Sequence, residues 1–488
     1  MIPFVVVFMS GDEITSLFCG EFHKMKSKFA RCWGLSVWIA IQLLLASVSD
    51  GQTGAYDPAR LYPADSLKAD LSFLRDKLEQ MHPALYRYAS KAELGGLFDS
   101  LERVVAGPMD EQQFLSLLEL VPARIRNGHT MILPSAAAME YYGVRGRSLP
   151  FLVGSFRGRL YILENNSADT SIVVGSEVLS INGLSAAEVR RKLIARTVRD
   201  GFNETYPEWI LDRYFSSYYR ICFGEPDEFL LELRGSAGQV FQKRIRALAR
   251  DSVSYYRRLR YGQDHPQAEA GLGVVARLIE NGRVSVLKVS SFDPDVLRSK
   301  YNQDYRRAID SVYVWLEGKQ VKQLVLDLRD NQGGDFPPAR YLLAHLMSTP
   351  TQFLYGGSQA RMIRPALHRF AGRLVVLING GSFSSTAMVA AILEREKRAV
   401  FVGEETGGNK YVISGDPEEV LLPHTQISCL ISTVIYRITQ GVNDGHGVMP
   451  DYQVVPLVGD RLTHRDRALE TAVEIISRGQ KEIARKPS

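Results

Sequence analysis

From Asp57 to about Val121 apolar residues recur at steps of three and four: Leu67, Leu71, Leu74 and Leu78, then Leu94, Leu97, Phe98 and Leu101, then Phe114, Leu117 and Leu118. One face of a helix produces this spacing. Gly107-Pro108 interrupts it, so three or so helices are predicted, forming a small helical domain over residues 55–135. After Pro134 the rhythm changes. Leu149–Val153 and Leu160–Leu163 are short apolar runs separated by Gly and Asn, which predicts strands. Gly175–Gly183 reads as a strand ending in a turn at Asn182-Gly183. Ser185 followed by Glu188 has the spacing of a capping box at a helix start. Phe229–Leu233 adds another strand, giving a β-rich domain over 145–250.

Over 265–480 strands and helices alternate. Val284–Val289, Leu324–Leu328, Leu374–Ile378 and Val400–Val402 read as strands, and Tyr301–Leu316, Ala339–Met347 and Ser385–Glu394 as helices. Continuous apolar strands between helices predict a sheet covered on both faces. The fold class is therefore α/β and multi-domain, as the length of 488 residues also requires.

Composition alters this picture little. The chain is 45% apolar and 23% charged, ordinary for a globular protein. A formal net charge of +5, with no Lys/Arg block, does not indicate a nucleic-acid partner. The first fifty residues differ from the rest. A basic stretch, Met25–Arg31, precedes an apolar run from Trp33 to Ala46, then the small residues Ala46–Ser49 and the polar Asp50-Gly51-Gln52. That order is that of a secretory signal peptide, with Met25 as the expected true start. The run is shorter than the ~20 residues a bilayer span needs. Residues 1–50 are thus expected to be a cleaved leader, leaving no stable membrane span, and the protein to be periplasmic or extracellular. An uncleaved leader would tether it. Cys222 and Cys429 alone remain after cleavage. Export permits a disulfide between them. No cysteine or histidine spacing suggests structural zinc, and no metal or cofactor is expected.

Two strand-to-helix junctions carry candidate chemistry: Leu328-Arg329-Asp330-Asn331-Gln332-Gly333-Gly334-Asp335 and Ile378-Asn379-Gly380-Gly381-Ser382-Phe383-Ser384-Ser385-Thr386. Each puts glycines at the carboxyl end of a buried strand, where open α/β sheets bind ligands. Glycine lets the backbone turn sharply and bring N–H groups near a substrate. Taken alone, Ser384 or Ser382 reads equally as a helix N-cap, and Gly333-Gly334 as a tight turn.

Taken in order, four segments are specific. Asp327-Leu328-Arg329-Asp330-Asn331-Gln332-Gly333-Gly334, the serine segment, Gly403-Glu404-Glu405-Thr406-Gly407-Gly408 and Gly447-Val448-Met449-Pro450-Asp451 resemble the signatures of the tail-specific (C-terminal processing) and tricorn-type serine peptidases. The resemblance implies a ClpP/crotonase-like α/β protease core; the region 145–250 itself resembles a PDZ-like peptide-binding module, with a plain β-rich spacer domain as the other reading. The family resemblance implies Ser384 as nucleophile, with the backbone N–H groups of Gly333 and Ser385 as the oxyanion hole. Processing proteases place a lysine base where this chain has Asn409, and Lys410 stands one position further. The tricorn-like variant uses a histidine, and Arg126-Asn127-Gly128-His129-Thr130 resembles its Asp-Gly-His-Thr segment, with Asn127 in place of Asp. That variant implies His129 as base and Asp444 as its carboxylate. Lys410 and His446 are the alternative bases, and Gln332 stands where relatives often carry glycine.

The chemistry explains the set. A serine hydroxyl is a poor nucleophile until a base takes its proton. Imidazole does so near neutral pH, and a carboxylate fixes its tautomer. The expected function is an exported serine peptidase acting on peptide or protein substrates. The alternatives are a catalytically inactive peptide-binding homologue and a non-proteolytic serine hydrolase such as an esterase.

Overall fold

The computed structural model describes residues 56–262, 273–356 and 361–478; the expected leader lies outside them. The chain opens with helices α1 (Ala64–Met81), α2 (Lys91–Val104), α3 (Glu111–Leu118) and α4 (Leu120–Ile125). Ser90 and Asp110 start α2 and α3 with reciprocal capping boxes, which satisfy amide donors that a helix start leaves unpaired. Leu67, Leu71, Leu74, Leu78, Phe98 and Phe114 are fully buried against one another. Removing each such side chain from water contributes about 2 kcal/mol.

A β-rich unit follows strand β1 (Met131–Leu133) and helix α5 (Ala136–Val144). Strands β2 (Phe151–Phe156), β3 (Arg159–Asn165), β4 (Glu177–Ile181), β5 (Glu228–Arg234) and β6 (Val240–Arg246) form an antiparallel sheet in that order. Asn182 and Gly183 turn the chain at positive φ, and Ser185 accepts the Glu188 amide to start α6 (Ala186–Ile194). Between α6 and β5 runs α7 (Thr205–Phe223), which the sequence reading omitted. Its buried residues Tyr206, Ile210, Leu211, Phe215 and Tyr219 do follow helical spacing, and Pro207 sits in its first turn.

After α8 (Arg250–Tyr261), the C-terminal core is built on β7 (Val274–Ile279), β8 (Val284–Val289), β9 (Gln323–Asp327), β10 (Arg373–Ile378), β11 (Val400–Gly403) and β14 (Tyr452–Gln453). These strands lie in that order in one sheet, parallel except for the antiparallel β7–β8 edge. Leu324, Leu326, Leu374, Val376 and Ile378 face the layer containing α9 (Pro294–Tyr301), α10 (Tyr305–Gly318), α11 (Phe336–Ala344) and α12 (Ser385–Arg395). Val325, Val375, Leu377 and Val402 face Ala472, Ile475 and Ile476 of α13 (Arg467–Arg478). The expected helix over 301–316 is two: Asn302 is left-handed at φ 52° and ends α9, and Asp304 caps α10. The helix expected at Ala339 starts earlier, with Pro337 and Pro338 in its first turns.

One element leaves the core. The hairpin of β12 (Val412–Leu421) and β13 (Ser428–Arg437) reaches the N-terminal helices, where β13 pairs antiparallel with β1, Ile132 opposite Cys429. Leu422, Ile427 and Ile431 complete the helical core. Cys429 is buried there, Cys222 packs with the β-rich unit, and both are free thiols. Among the described residues no helix is long and apolar enough to cross a membrane.

Candidate active site

Ser384 stands between the carboxyl end of β10 and the first turn of α12, with φ 51° and ψ −127°. That region is sparsely occupied by L-residues, and holding a serine there costs of order 1–3 kcal/mol. The surrounding loop imposes it. Ser382 Oγ donates to Leu328 O at 2.9 Å, Phe383 N donates to Asn331 O at 3.1 Å, and Gly381 N donates to Asn379 Oδ1 at 3.0 Å. The Ser384 side chain makes no capping bond to α12. Its Oγ instead lies 3.0 Å from Nε2 of His129, so this serine does not serve as the cap of α12.

His129 arrives from the distant helical region. Arg126 ends α4 in the left-handed conformation at φ 58°, and the chain then runs past His129 into β1. Asn127 holds this turn: its Oδ1 accepts His129 N at 3.0 Å, and its Nδ2 lies 2.8 Å from Nε2 of His82. The buried carboxylate of Asp200 accepts Gly128 N at 2.7 Å. Burial, opposed by the Gly128 and Asn409 amides, pushes its carboxyl up to about 6.

The His129 ring lies against Phe383, centroids 4.8 Å apart and 23° from parallel. Phe383 in turn stacks on Tyr206 at 4.2 Å and 5°, and Arg213 covers Trp209 at 4.0 Å on the next turns of α7. Tyr206 Oη donates to Gln332 Oε1 at 3.3 Å, and Gln332 Nε2 donates to Gly381 O at 2.9 Å. Gln332 thus links the two glycine loops to the aromatic column. Burial pushes the His129 imidazole down to about 4, keeping it a neutral acceptor.

Two expected positions differ in the structure. Asp444 does not reach His129: its carboxylate pairs with Lys410 Nζ at 3.5 Å and accepts His446 N at 2.9 Å. His129 Nδ1 is buried with no hydrogen-bond partner among the described residues. Gly333 N, expected as an oxyanion donor, already donates to Asn331 Oδ1 at 2.9 Å. The Gly333 backbone nevertheless packs on the serine, because a Cβ there would stand 2.8 Å from Ser384 Cβ and 2.9 Å from Ser385 N. Ser385 N opens α12, where the helix supplies no acceptor.

Neither alternative base meets Ser384. Lys410 is committed to Asp444, and His446 Nδ1 lies 3.1 Å from Glu405 Oε1. Asn409, where processing proteases carry lysine, is a buried bracket. Its Oδ1 accepts Tyr411 N at 2.8 Å and its Nδ2 donates to Asn443 Oδ1 at 3.0 Å. Among the described residues no group of His, Cys, Asp and Glu could hold a metal ion. Asp200, Tyr206, Trp209 and Phe383 escaped sequence reasoning. The Phe383 position inside the serine segment and the spacing of Tyr206, Trp209 and Arg213 were the signals that could have found them.

Residues 283–454 match the model of Peptidase family S41. The chain is 29% identical over 163 residues to a chloroplastic C-terminal processing peptidase of Tetradesmus obliquus, covering 32% of this chain and 34% of that one. It is 29% identical over 165 residues to a carboxy-terminal-processing protease of Bartonella bacilliformis, 31% and 35% of the two chains. The match thus spans about a third of the length of these relatives. The fold resembles mature CPAF, with TM-score 0.60 at 15% identity over 84% of this chain and 96% of that one.

Proposed function

With residues 283–454 forming a peptidase family S41 domain, we propose that this protein is a serine peptidase in which Ser384 attacks the substrate and His129 is the general base. The observation that carries the reading is the 3.0 Å contact between His129 Nε2 and Ser384 Oγ, made by a serine held in strained backbone. In the first step Oγ bonds to the scissile carbonyl carbon and its proton passes to Nε2. The oxyanion forms beside the first turn of α12, where Ser385 N is placed to donate. Collapse expels the amine, which takes the proton from Nε2 and leaves an acyl-enzyme. Water then gives a proton to Nε2 and bonds to the ester carbon; the Oγ–carbon bond breaks, Oγ takes that proton back from Nε2, and the acid leaves.

With Asp444 on Lys410, the pair acts as a dyad whose imidazole is oriented from its face by Phe383. The β-rich unit is read as PDZ-like, holding an extended peptide along a sheet edge. The names of the relatives point to protein C-termini as substrates, and the basic–apolar–small order of residues 25–49 supports export.

The test is labelling of the full chain with a fluorophosphonate, the site located by mass spectrometry. Label on Ser384 that disappears in Ser384→Ala and falls at least ~100-fold in His129→Ala is the expected result. Label undiminished in His129→Ala overturns the assignment of the base. An unlabelled wild type that still binds peptides would make the protein a binding homologue. Turnover of esters but of no peptide would make it an esterase.

A further inference from the structure

Four arginines line one surface pocket that includes neither Ser384 nor His129. Arg306 stands in the first turn of α10 and Arg340 on α11. Arg361 and Arg364 flank the short strand Met362–Ile363, which pairs antiparallel with Thr351–Gln352. With Tyr341 and Met362 they line a pocket of about 470 Å³, a size that holds small ligands.

No direct ion pair offsets this charge among the described residues. None of the four guanidiniums has a carboxylate partner among the described residues. Asp310, beside the pocket, is engaged with Tyr341 Oη at 2.6 Å and lies 3.6 Å from His345 Nε2. Arg306 lies 4.8 Å over the Tyr341 ring, and Arg340 5.9 Å from the Phe353 centroid. Both are thus held by rings that leave their N–H forks open. Arg340 is half-buried, and burial together with the Arg361 and Arg306 charges holds its guanidinium below the usual arginine value. Bringing like charges together in a concave site costs free energy that an anion would recover.

We propose that this pocket binds a small ligand carrying at least two phosphate groups. Guanidinium forks match phosphate oxygens bidentately, where lysine offers only a point charge. A compact pocket suits a diphosphate better than an acidic peptide, which needs an extended groove. The phosphates could belong to a free compound or to a lipid headgroup.

The experiment is calorimetric titration of the full chain with sodium pyrophosphate at low salt. Saturable one-site binding is expected, weakened at least tenfold in Arg340→Gln/Arg361→Gln and weakened further as salt rises. Arg306→Gln/Arg364→Gln should show the same loss, which guards against a folding defect in one variant. Cardiolipin vesicles assign the source. Retention that pyrophosphate competes away makes the ligand a headgroup, and no retention makes it a free phosphate compound. Absence of saturable binding up to 1 mM pyrophosphate overturns the proposal. So does unchanged affinity in both variants, or equal affinity for hexaglutamate.

Discussion

Phe383 lies nearly parallel to His129 with ring centroids 4.8 Å apart, so the residue beside the proposed nucleophile also holds the proposed base. Both contacts run through one short segment, Phe383-Ser384. A face-stacked ring also stabilises an imidazolium as it forms.

Replacing Phe383 by leucine preserves most of the volume, so stability should fall by only about 1 kcal/mol. The freed imidazole should lower kcat by ~10–100-fold, the usual loss when a catalytic group is misplaced by an ångström. KM should change little. Gly128→Ala acts from the opposite side, since its Cβ would lie 2.6 Å from the Phe383 ring. Phe383→Leu, by shrinking the side chain that this Cβ meets, should therefore partly rescue Gly128→Ala, which steady-state kinetics on the double variant would reveal. Additive losses would mean that the stack does not position His129.

Gly333 has φ 96° and almost touches Ser384. Gly333→Ala strains the loop and pushes it off the serine. Fluorophosphonate labelling and peptide turnover should both fall by ~100-fold or more, with an unchanged circular dichroism spectrum. Retained labelling would show that this loop takes no part in the reaction.

Burial pushes His129 down to about 4, from about 6.5 in the unfolded chain. The base is then free at lower pH than ordinary histidine, and the acid limb of kcat/KM should fall near pH 4. A limb between 6 and 7 would contradict this. The sign for stability is fixed by the same shift: the unfolded chain binds the proton more readily. The contribution is full above pH 6.5 and is lost as pH falls from 6.5 through 4. Any stability advantage of the wild type over His129→Gln should shrink across that window in urea titrations. His82, also pushed down to about 4 by burial, adds in the same direction to the wild type's acid sensitivity.

Lys410 and Asp444 form a partly exposed pair at 3.5 Å, worth at most about 1 kcal/mol. Lys410→Ala and Asp444→Asn should each leave kcat/KM within ~5-fold of wild type. A hundredfold loss in the first would make lysine the base. A hundredfold loss in the second would return Asp444 to the role the tricorn-like resemblance implies.

The four central strands of the core sheet and the serine segment were legible because each is a continuous run whose residues act together; the edge strands Val274–Ile279 and Tyr452–Gln453 were not read. His129 was legible because Asn127-Gly128-His129-Thr130 is contiguous. The remainder depends on residues that meet only in three dimensions. The pairing of Asp444 with Lys410 rather than His129 is a choice between flexible side chains that no spacing encodes. The capture of Gly333 N by Asn331 Oδ1 depends on one side-chain rotamer. The hairpin β12–β13 was missed because its partner β1 lies in the first third of the chain. The α7 aromatics were passed over since Tyr and Trp suit strands as readily as helices.

The pairing of β1 with β13 has a consequence for the life of the molecule before it is complete. His129 is synthesised early and Ser384 late, and the strand that seats the first beside the second, Ser428–Arg437, later still. A chain leaving the ribosome therefore carries both reactive groups without their meeting. If Ser384 and His129 are the reacting pair, as proposed, finishing the polypeptide is therefore the step that would complete the site.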